Sequence, residues 1–128
     1  MQTLYFIAGV IAVLTGIVHS VLGEHLIFRH VRDGSLVPTL GAPPLRERHI
    51  RIIWATWHLV SIFAWASAGV LIRLAFSPAP PASIVAVGIA SAYLGGAILV
   101  LVSTKGRHPG WVALLAVASL TWVGASAG

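Results

Sequence analysis

The sequence contains no cysteine and very little charge. The absence of Cys from its 128 residues excludes disulfides, thiolate metal sites, iron–sulfur clusters and lipid anchors on cysteine. Charged residues make up only 9% of the chain, whereas 58% is hydrophobic and the mean hydropathy is +0.94. This composition is typical of a membrane protein rather than of a water-soluble domain. Any metal must therefore be held by histidine, carboxylate or backbone oxygen.

Four long apolar runs are separated by polar or proline-rich connections. A membrane-spanning helix needs about 20 mostly apolar residues, and the runs over 3–22, 52–72, 82–102 and 111–127 meet this requirement. The first helix is expected to continue into the headgroup region to about Val31. The connection over 77–81 is short and rich in proline, which makes the second and third spans antiparallel neighbours. We therefore predict one all-α domain over 1–128, a four-helix bundle in the lipid bilayer.

The cations are concentrated in two of the three connections. The first connection holds five arginines and the third holds Lys105 and Arg107, whereas only Arg73 flanks the second. The positive-inside rule places the first and third connections in the cytoplasm and both termini outside. We accordingly expect a multi-pass protein of the bacterial cytoplasmic (inner) membrane. The net charge of +5 is then explained by orientation, and no nucleic-acid partner is expected.

All six histidines lie on the predicted cytoplasmic side of so apolar a chain. His19 is about one turn from the inner end of the first span, and His58 is about two turns inside the second. Antiparallel packing would bring the two rings to similar depth, which makes them the best candidate pair. Trp54, Trp57 and Ser61 accompany them as candidate supporting residues. The six positions are His19, His25, His30, His49, His58 and His108.

Histidines at this depth suit a cofactor or a proton carrier. His19 and His58 could ligate the iron of a b-type haem. Imidazole with carboxylate also suits iron, zinc or copper, and the candidate ligands for such a metal are His19, Glu24, His25, His58 and His108. Glu24 points about 140° away from His19 on a continuous helix, so the two converge only if the helix bends at Gly23 or if Glu24 meets another helix. Proton transfer is less favoured, because the outer half of the bundle has few titratable residues.

A structural reading of the same residues stays open. Small residues follow one stripe of the first span and recur in the third and fourth, and such stripes allow helices to pack closely in lipid. His19 lies on the stripe of the first span, so its imidazole could serve only as an interhelical hydrogen-bonding group. The remaining acids give little support to catalysis by a nucleophile or by paired carboxylates, and whether the protein is an enzyme stays open.

Two short segments carry a family resemblance. The segment His19-Ser20-Val21-Leu22-Gly23-Glu24, followed by Trp57-His58-Leu59-Val60-Ser61, resembles the pattern of a group of small uncharacterised bacterial four-span membrane proteins. The resemblance covers roughly the first 70 residues. It implies that His19, Gly23, Glu24, Trp57 and His58 belong together, and it implies no activity.

Two functions are therefore predicted from the sequence. The first is a small membrane protein whose cytoplasm-facing His/Glu site binds a transition metal or haem b in a redox or metal-dependent role. The alternative is a non-catalytic subunit or assembly factor of a larger membrane complex, in which the same side chains join helices. A homo-oligomer is compatible with either function.

Overall fold

The computed structural model describes residues 2–76 and 82–126, and the side chain of residue 83 is not described. Four α-helices follow one another in these residues: α1 over Gln2–Leu26, α2 over Glu47–Phe76, α3 over Ala82–Thr104 and α4 over Gly110–Ser126. A short 3-10 helix covers Phe28–Val31. The all-α prediction is confirmed. The predicted turn over 77–81 and the last residue of the predicted fourth span lie outside the described residues.

Three of the helices, α1, α2 and α3, are long and apolar enough to cross a membrane. Helix α4 is also apolar but has only 17 residues, which corresponds to about 26 Å at 1.5 Å per residue. Large apolar side chains stay exposed along all four helices, including Ile11, Leu94 and Leu120. Because water would disfavour such surfaces, they are typical of a protein surrounded by lipid.

The helix ends near the first connection differ from the sequence prediction. Helix α1 ends at Leu26 and not near Val31, because the chain tightens there into the 3-10 helix. Helix α2 begins at Glu47, five residues before the predicted span, and Arg51 donates to Glu47 one turn earlier at 2.7 Å. The polar residues over 47–51 were predicted to belong to the connection, but they form the first turn of α2.

The helices pack in chain order. Helix α1 packs against α2, α2 against α3, and α3 against α4. In the part of the chain that the structure describes, no packing of similar extent joins α1 to α4. The arrangement is therefore a row of four helices, more open than the predicted bundle. The C-terminal ends of α1 and α3 and the N-terminal ends of α2 and α4 lie together, and we call this the basic end.

The first connection folds over the basic end and supplies part of the core there. Phe28 is 1% exposed and forms a buried cluster with Val37, Trp54 and Val100. Val100 belongs to α3, so the connection contacts elements well beyond the two helices that it joins. This packing fixes the position of the segment after α1, which carries Arg32, a residue of the site described below.

The chain reverses between α3 and α4 in a tight turn. Lys105 and Gly106 have φ angles of 54° and 72°, and the Gly106 amide donates to the Leu101 carbonyl at 2.8 Å. This hydrogen bond satisfies one of the last carbonyls of α3, and glycine adopts such a φ without a steric penalty. The turn brings Lys105 and Arg107 beside the first turn of α2.

Candidate functional site

Two of the predicted site residues, His58 and Glu24, meet between α1 and α2 at the basic end. His58 Nε2 lies 2.9 Å from Glu24 Oε1, and His58 Nδ1 lies 2.8 Å from the Ser20 hydroxyl. Ser20 and Glu24 are one helical turn apart on α1, so both can contact the same ring on α2. Both ring nitrogens of His58 are therefore engaged by α1. Glu24 meets a second helix, as one of the two predicted routes to His19 required, but its partner there is His58.

The hydrogen bonding continues from Ser20 into the interface between the helices. The Ser20 hydroxyl donates to the Ser61 hydroxyl at 2.8 Å, and Ser61 donates to the Gly16 carbonyl at 2.9 Å. Ser61 is only 1% exposed. A row of hydrogen bonds thus connects the surface near Glu24 to a buried point between α1 and α2.

Glu24 also accepts hydrogen bonds from two other residues. Trp54 Nε1 donates to Glu24 Oε1 at 2.5 Å, and the Arg32 guanidinium forms an ion pair with Oε2. The Trp54 indole also packs edge-on against the His58 ring, with centroids 4.7 Å apart. Both carboxylate oxygens are therefore used within the protein. We call Ser20, Glu24, His58, Ser61 and their hydrogen bonds the clasp, since they join α1 to α2.

The hydrogen bonds of the clasp alternate between the two helices. Four of them run from the Gly16 carbonyl through Ser61, Ser20 and His58 to the Glu24 carboxylate. Gly16, Ser20 and Glu24 belong to α1, whereas Ser61 and His58 belong to α2. Each of the four bonds therefore crosses the interface between α1 and α2.

His19, the other member of the predicted pair, bonds elsewhere. Its ring stacks on the Trp57 indole with centroids 4.4 Å apart, and its Nε2 lies 3.2 Å from the Trp57 carbonyl. In return, Trp57 Nε1 donates to the His19 carbonyl at 3.0 Å. His19 and His58 thus have separate partners on opposite helices. The structure brings Glu24 to His58 and not to His19.

Three tryptophans of α2 donate to acceptors on α1. This repeated contact was not predicted from the sequence. The acceptors are Glu24 Oε1 for Trp54, the His19 carbonyl for Trp57 and the Val13 carbonyl for Trp65. We call these three side chains the indole ladder. Since lipid supplies no hydrophobic force between helices, such bonds and the packing around them hold α1 and α2 together.

Two glycines of α1 make room for the indole ladder. A Cβ at Gly23 would overlap the Trp57 indole, and a Cβ at Gly16 would overlap the Trp65 indole. Both glycines are buried. The small-residue stripe predicted for the first span thus accommodates tryptophan rings at Gly16 and Gly23, whereas at Gly9 it allows the close approach of the α2 backbone at Ala68 and Ile72.

The other predicted metal ligands lie apart from the clasp. His25 is exposed on α1 within 3.4 Å of Arg29, and His108 Nδ1 accepts from the Gly110 amide at 3.1 Å. Among residues 2–76 and 82–126, no three His, Asp or Glu side chains are grouped to hold a metal ion. His58 could coordinate a metal or haem iron only by releasing Ser20 or Glu24. The cofactor hypothesis stays a prediction.

Comparison with known proteins gave no relative. No family model, curated protein or solved structure matches the chain. The site is therefore interpreted from its geometry alone.

Two members of the site were not singled out as candidate site residues in the sequence. Ser20 follows His19 directly and was part of the quoted segment, but it was not given a role. Arg32 lies eight residues after Glu24, beyond the end of α1, and only the fold of the first connection brings it back. A serine at the end of an apolar span, one turn before the only acid of that helix, was the available signal for Ser20.

Proposed function

We propose that this chain is a non-catalytic integral membrane subunit or assembly factor, in which the clasp has a structural role. The observation that carries the proposal is the hydrogen bonding of His58 and Glu24. Both nitrogens of the ring and both oxygens of the carboxylate are already bonded to groups of the same chain. Side chains satisfied in this way hold two helices in register and leave no lone pair of the ring directed at a ligand.

The open row of helices supports a role in a larger assembly. A closed bundle covers the inner faces of all its helices, whereas here α1 and α4 are each packed against one neighbour among the described residues. Their remaining faces are apolar, and a partner helix can pack there in place of lipid.

The orientation is part of the same proposal. The concentration of cations in the first and third connections favours a cytoplasmic basic end, with both termini outside and α4 as a fourth span. The membrane would then be the inner membrane of a bacterium. The clasp would open toward the cytoplasm through Glu24, whose side chain is 34% exposed.

Purification from the native membrane in a mild detergent tests the proposal against the cofactor hypothesis. We expect copurification with one larger complex at a fixed ratio, an absorption spectrum without a Soret band, and far less than one metal ion per chain. The proposal would be contradicted by a Soret band, or by stoichiometric iron, zinc or copper, if that band or metal is lost in the His58→Ala variant.

The matched control for that variant is His30→Ala. His30 is an exposed histidine of the first connection and lies outside the clasp. The cells are grown with added haem precursor and metal salts, so that the absence of a cofactor cannot be due to a shortage of haem or metal. Recovery of the chain without any partner, in the same detergent, would also contradict the subunit proposal.

A further inference from the structure

A second polar region at the basic end takes no part in the clasp. A cavity of about 500 Å³ lies between the first turns of α2 and the turn that joins α3 to α4. Four cations line it, and Glu47 is the only carboxylate among its lining residues. The cations are Arg48, Arg51, Lys105 and Arg107. Its volume lies in the range of small-ligand sites, roughly 300–1,000 Å³, and its charge favours an anion.

Arg51 is held in place before any anion arrives. Its side chain is 10% exposed, its Nε donates to Glu47 Oε1 at 2.7 Å and its Nη1 donates to the Ser103 carbonyl at 2.8 Å. These two bonds fix the plane of the guanidinium. Its Nη2 makes no hydrogen bond with the residues that the structure describes, so its hydrogens stay available to a ligand. A fixed guanidinium loses little entropy when it binds an oxyanion.

The surroundings place this cavity at the level of lipid headgroups. Helix α3 is apolar up to Val102 and its polar end begins at Ser103. Beside it, Trp111 Nε1 donates to the Gly106 carbonyl at 3.2 Å, and tryptophans with one bonded nitrogen are typical of the membrane interface. Ile52 adds an apolar patch to the cavity wall. The cavity thus combines cations with an apolar surface where a phospholipid carries its phosphate.

We propose that this cavity binds a phosphate group at the membrane surface, carried by an anionic phospholipid. Arg51 forms the fixed part of the site, and Arg48, Lys105 and Arg107 supply mobile charges around it. The N-terminal end of α2, beside the cavity, adds the positive end of a helix dipole. The proposal is independent of the structural role given to the clasp, because the two regions share no residue.

Native mass spectrometry of the protein in detergent tests this site with two defined lipids. We expect phosphatidylglycerol to bind at least tenfold more tightly than phosphatidylcholine. One cation near an anionic membrane contributes about 1 kcal/mol, or about fivefold in affinity. The variant Arg48→Gln/Lys105→Gln/Arg107→Gln should therefore lose about a hundredfold in affinity for phosphatidylglycerol.

The control removes the same charge from outside the cavity. The variant Arg29→Gln/Arg46→Gln/Arg73→Gln should bind phosphatidylglycerol within about threefold of the unmodified protein. Equal losses in both triple variants would overturn the proposal, because general attraction and not a site would then explain the binding. No preference for phosphatidylglycerol would overturn it as well. The single variant Arg48→Gln, with an expected loss of about fivefold, gives an independent reading if the triple variant folds poorly.

Excess inorganic phosphate identifies the source of the phosphate. If the lipid stays bound in excess phosphate, the cavity recognises the headgroup as part of a whole phospholipid. Lipid that is displaced, with the cavity variant insensitive, assigns the cavity to the phosphate group itself, whether free or lipid-borne. Binding of neither phosphatidylglycerol nor inorganic phosphate overturns the proposal.

Discussion

At the residue scale, Ser61 is the buried link of the clasp. Its hydroxyl accepts from Ser20 and donates to the Gly16 carbonyl, and alanine would remove both bonds. Interhelical hydrogen bonds in membrane proteins contribute about 0.6 kcal/mol on average and up to about 1.7 kcal/mol. We expect Ser61→Ala to lower the free energy of unfolding by about 1 kcal/mol. Unfolding in mixed detergent micelles, followed by tryptophan fluorescence, measures the loss.

Ser67→Ala is the matched control for this substitution. Ser67 lies on the same helix, but it is exposed and donates only to the Phe63 carbonyl of its own helix. We expect a change near zero. A similar loss in the two variants would show that the link between the helices has no special importance for stability.

The sequence was sufficient to single out His58, Glu24 and the supporting residues Trp54 and Ser61, but not the partners Ser20 and Arg32. Both are ionisable residues in or beside apolar spans, where such groups are rare and require a partner. The pairing of His19 with His58 was inferred from depth alone, and depth does not specify the direction of a side chain. The His19 ring stacks on Trp57, whereas the His58 ring is bonded to Ser20 and Glu24, so the two rings have different partners. The position of Arg32 depends on a connection whose path has no periodic pattern.

At the scale of elements, the contact between α1 and α2 depends on Gly23. A methyl group at this position would push against the Trp57 indole, which is fixed by stacking on His19 and by its bond to the His19 carbonyl. Overpacking of this kind costs about 1–3 kcal/mol. We expect Gly23→Ala to be destabilising by that amount in the same fluorescence assay.

Gly124→Ala provides the comparison for Gly23→Ala. A Cβ at Gly124 on α4 has no neighbour within 4 Å, and alanine has a higher helix propensity than glycine by about 1 kcal/mol. We expect this variant to be neutral or slightly stabilised. A Gly23→Ala protein as stable as the Gly124→Ala protein would argue against a tight interface between α1 and α2.

The first connection is an element in its own right, anchored by Phe28. Its ring is 1% exposed and packs edge-on against Trp57 with centroids 6.1 Å apart. Replacing a buried phenylalanine by alanine costs about 3–5 kcal/mol. We expect Phe28→Ala to lose about 3 kcal/mol, whereas Phe76→Ala, at a side chain that is 71% exposed, should lose far less. Equal losses would mean that the connection is not part of the core.

Helices were easier to predict than this connection. An apolar run of about 20 residues predicts a helix from composition alone, and each of the four apolar runs lies in one of the helices α1 to α4 over the described residues. The contact between Phe28 and Val100 joins residues far apart in the chain. Nothing in the local sequence indicates such a contact. The prediction therefore treated the whole connection as a loop.

At the scale of the whole molecule, the absence of cysteine makes the orientation directly measurable. A single cysteine introduced at Gln2 or at Leu36 would be the only thiol in the chain. Leu36 is 75% exposed in the first connection. In intact cells, we expect a membrane-impermeant maleimide to label Gln2→Cys and not Leu36→Cys, because the positive-inside rule places the basic end in the cytoplasm. The opposite labelling pattern would invert the proposed topology.

The row of helices also has a consequence for the order of folding. Since each helix packs against the next one in the chain, α1 and α2 can form a hairpin as soon as both have entered the membrane, before α3 is synthesised. Ser20, Glu24, His58 and Ser61 all belong to that hairpin, so its polar groups can be satisfied early. Phe28 and Val37 must wait for Val100. Folding would therefore be completed by closing the first connection over the later half of the chain, and a chain cut short before α3 would leave these two side chains uncovered.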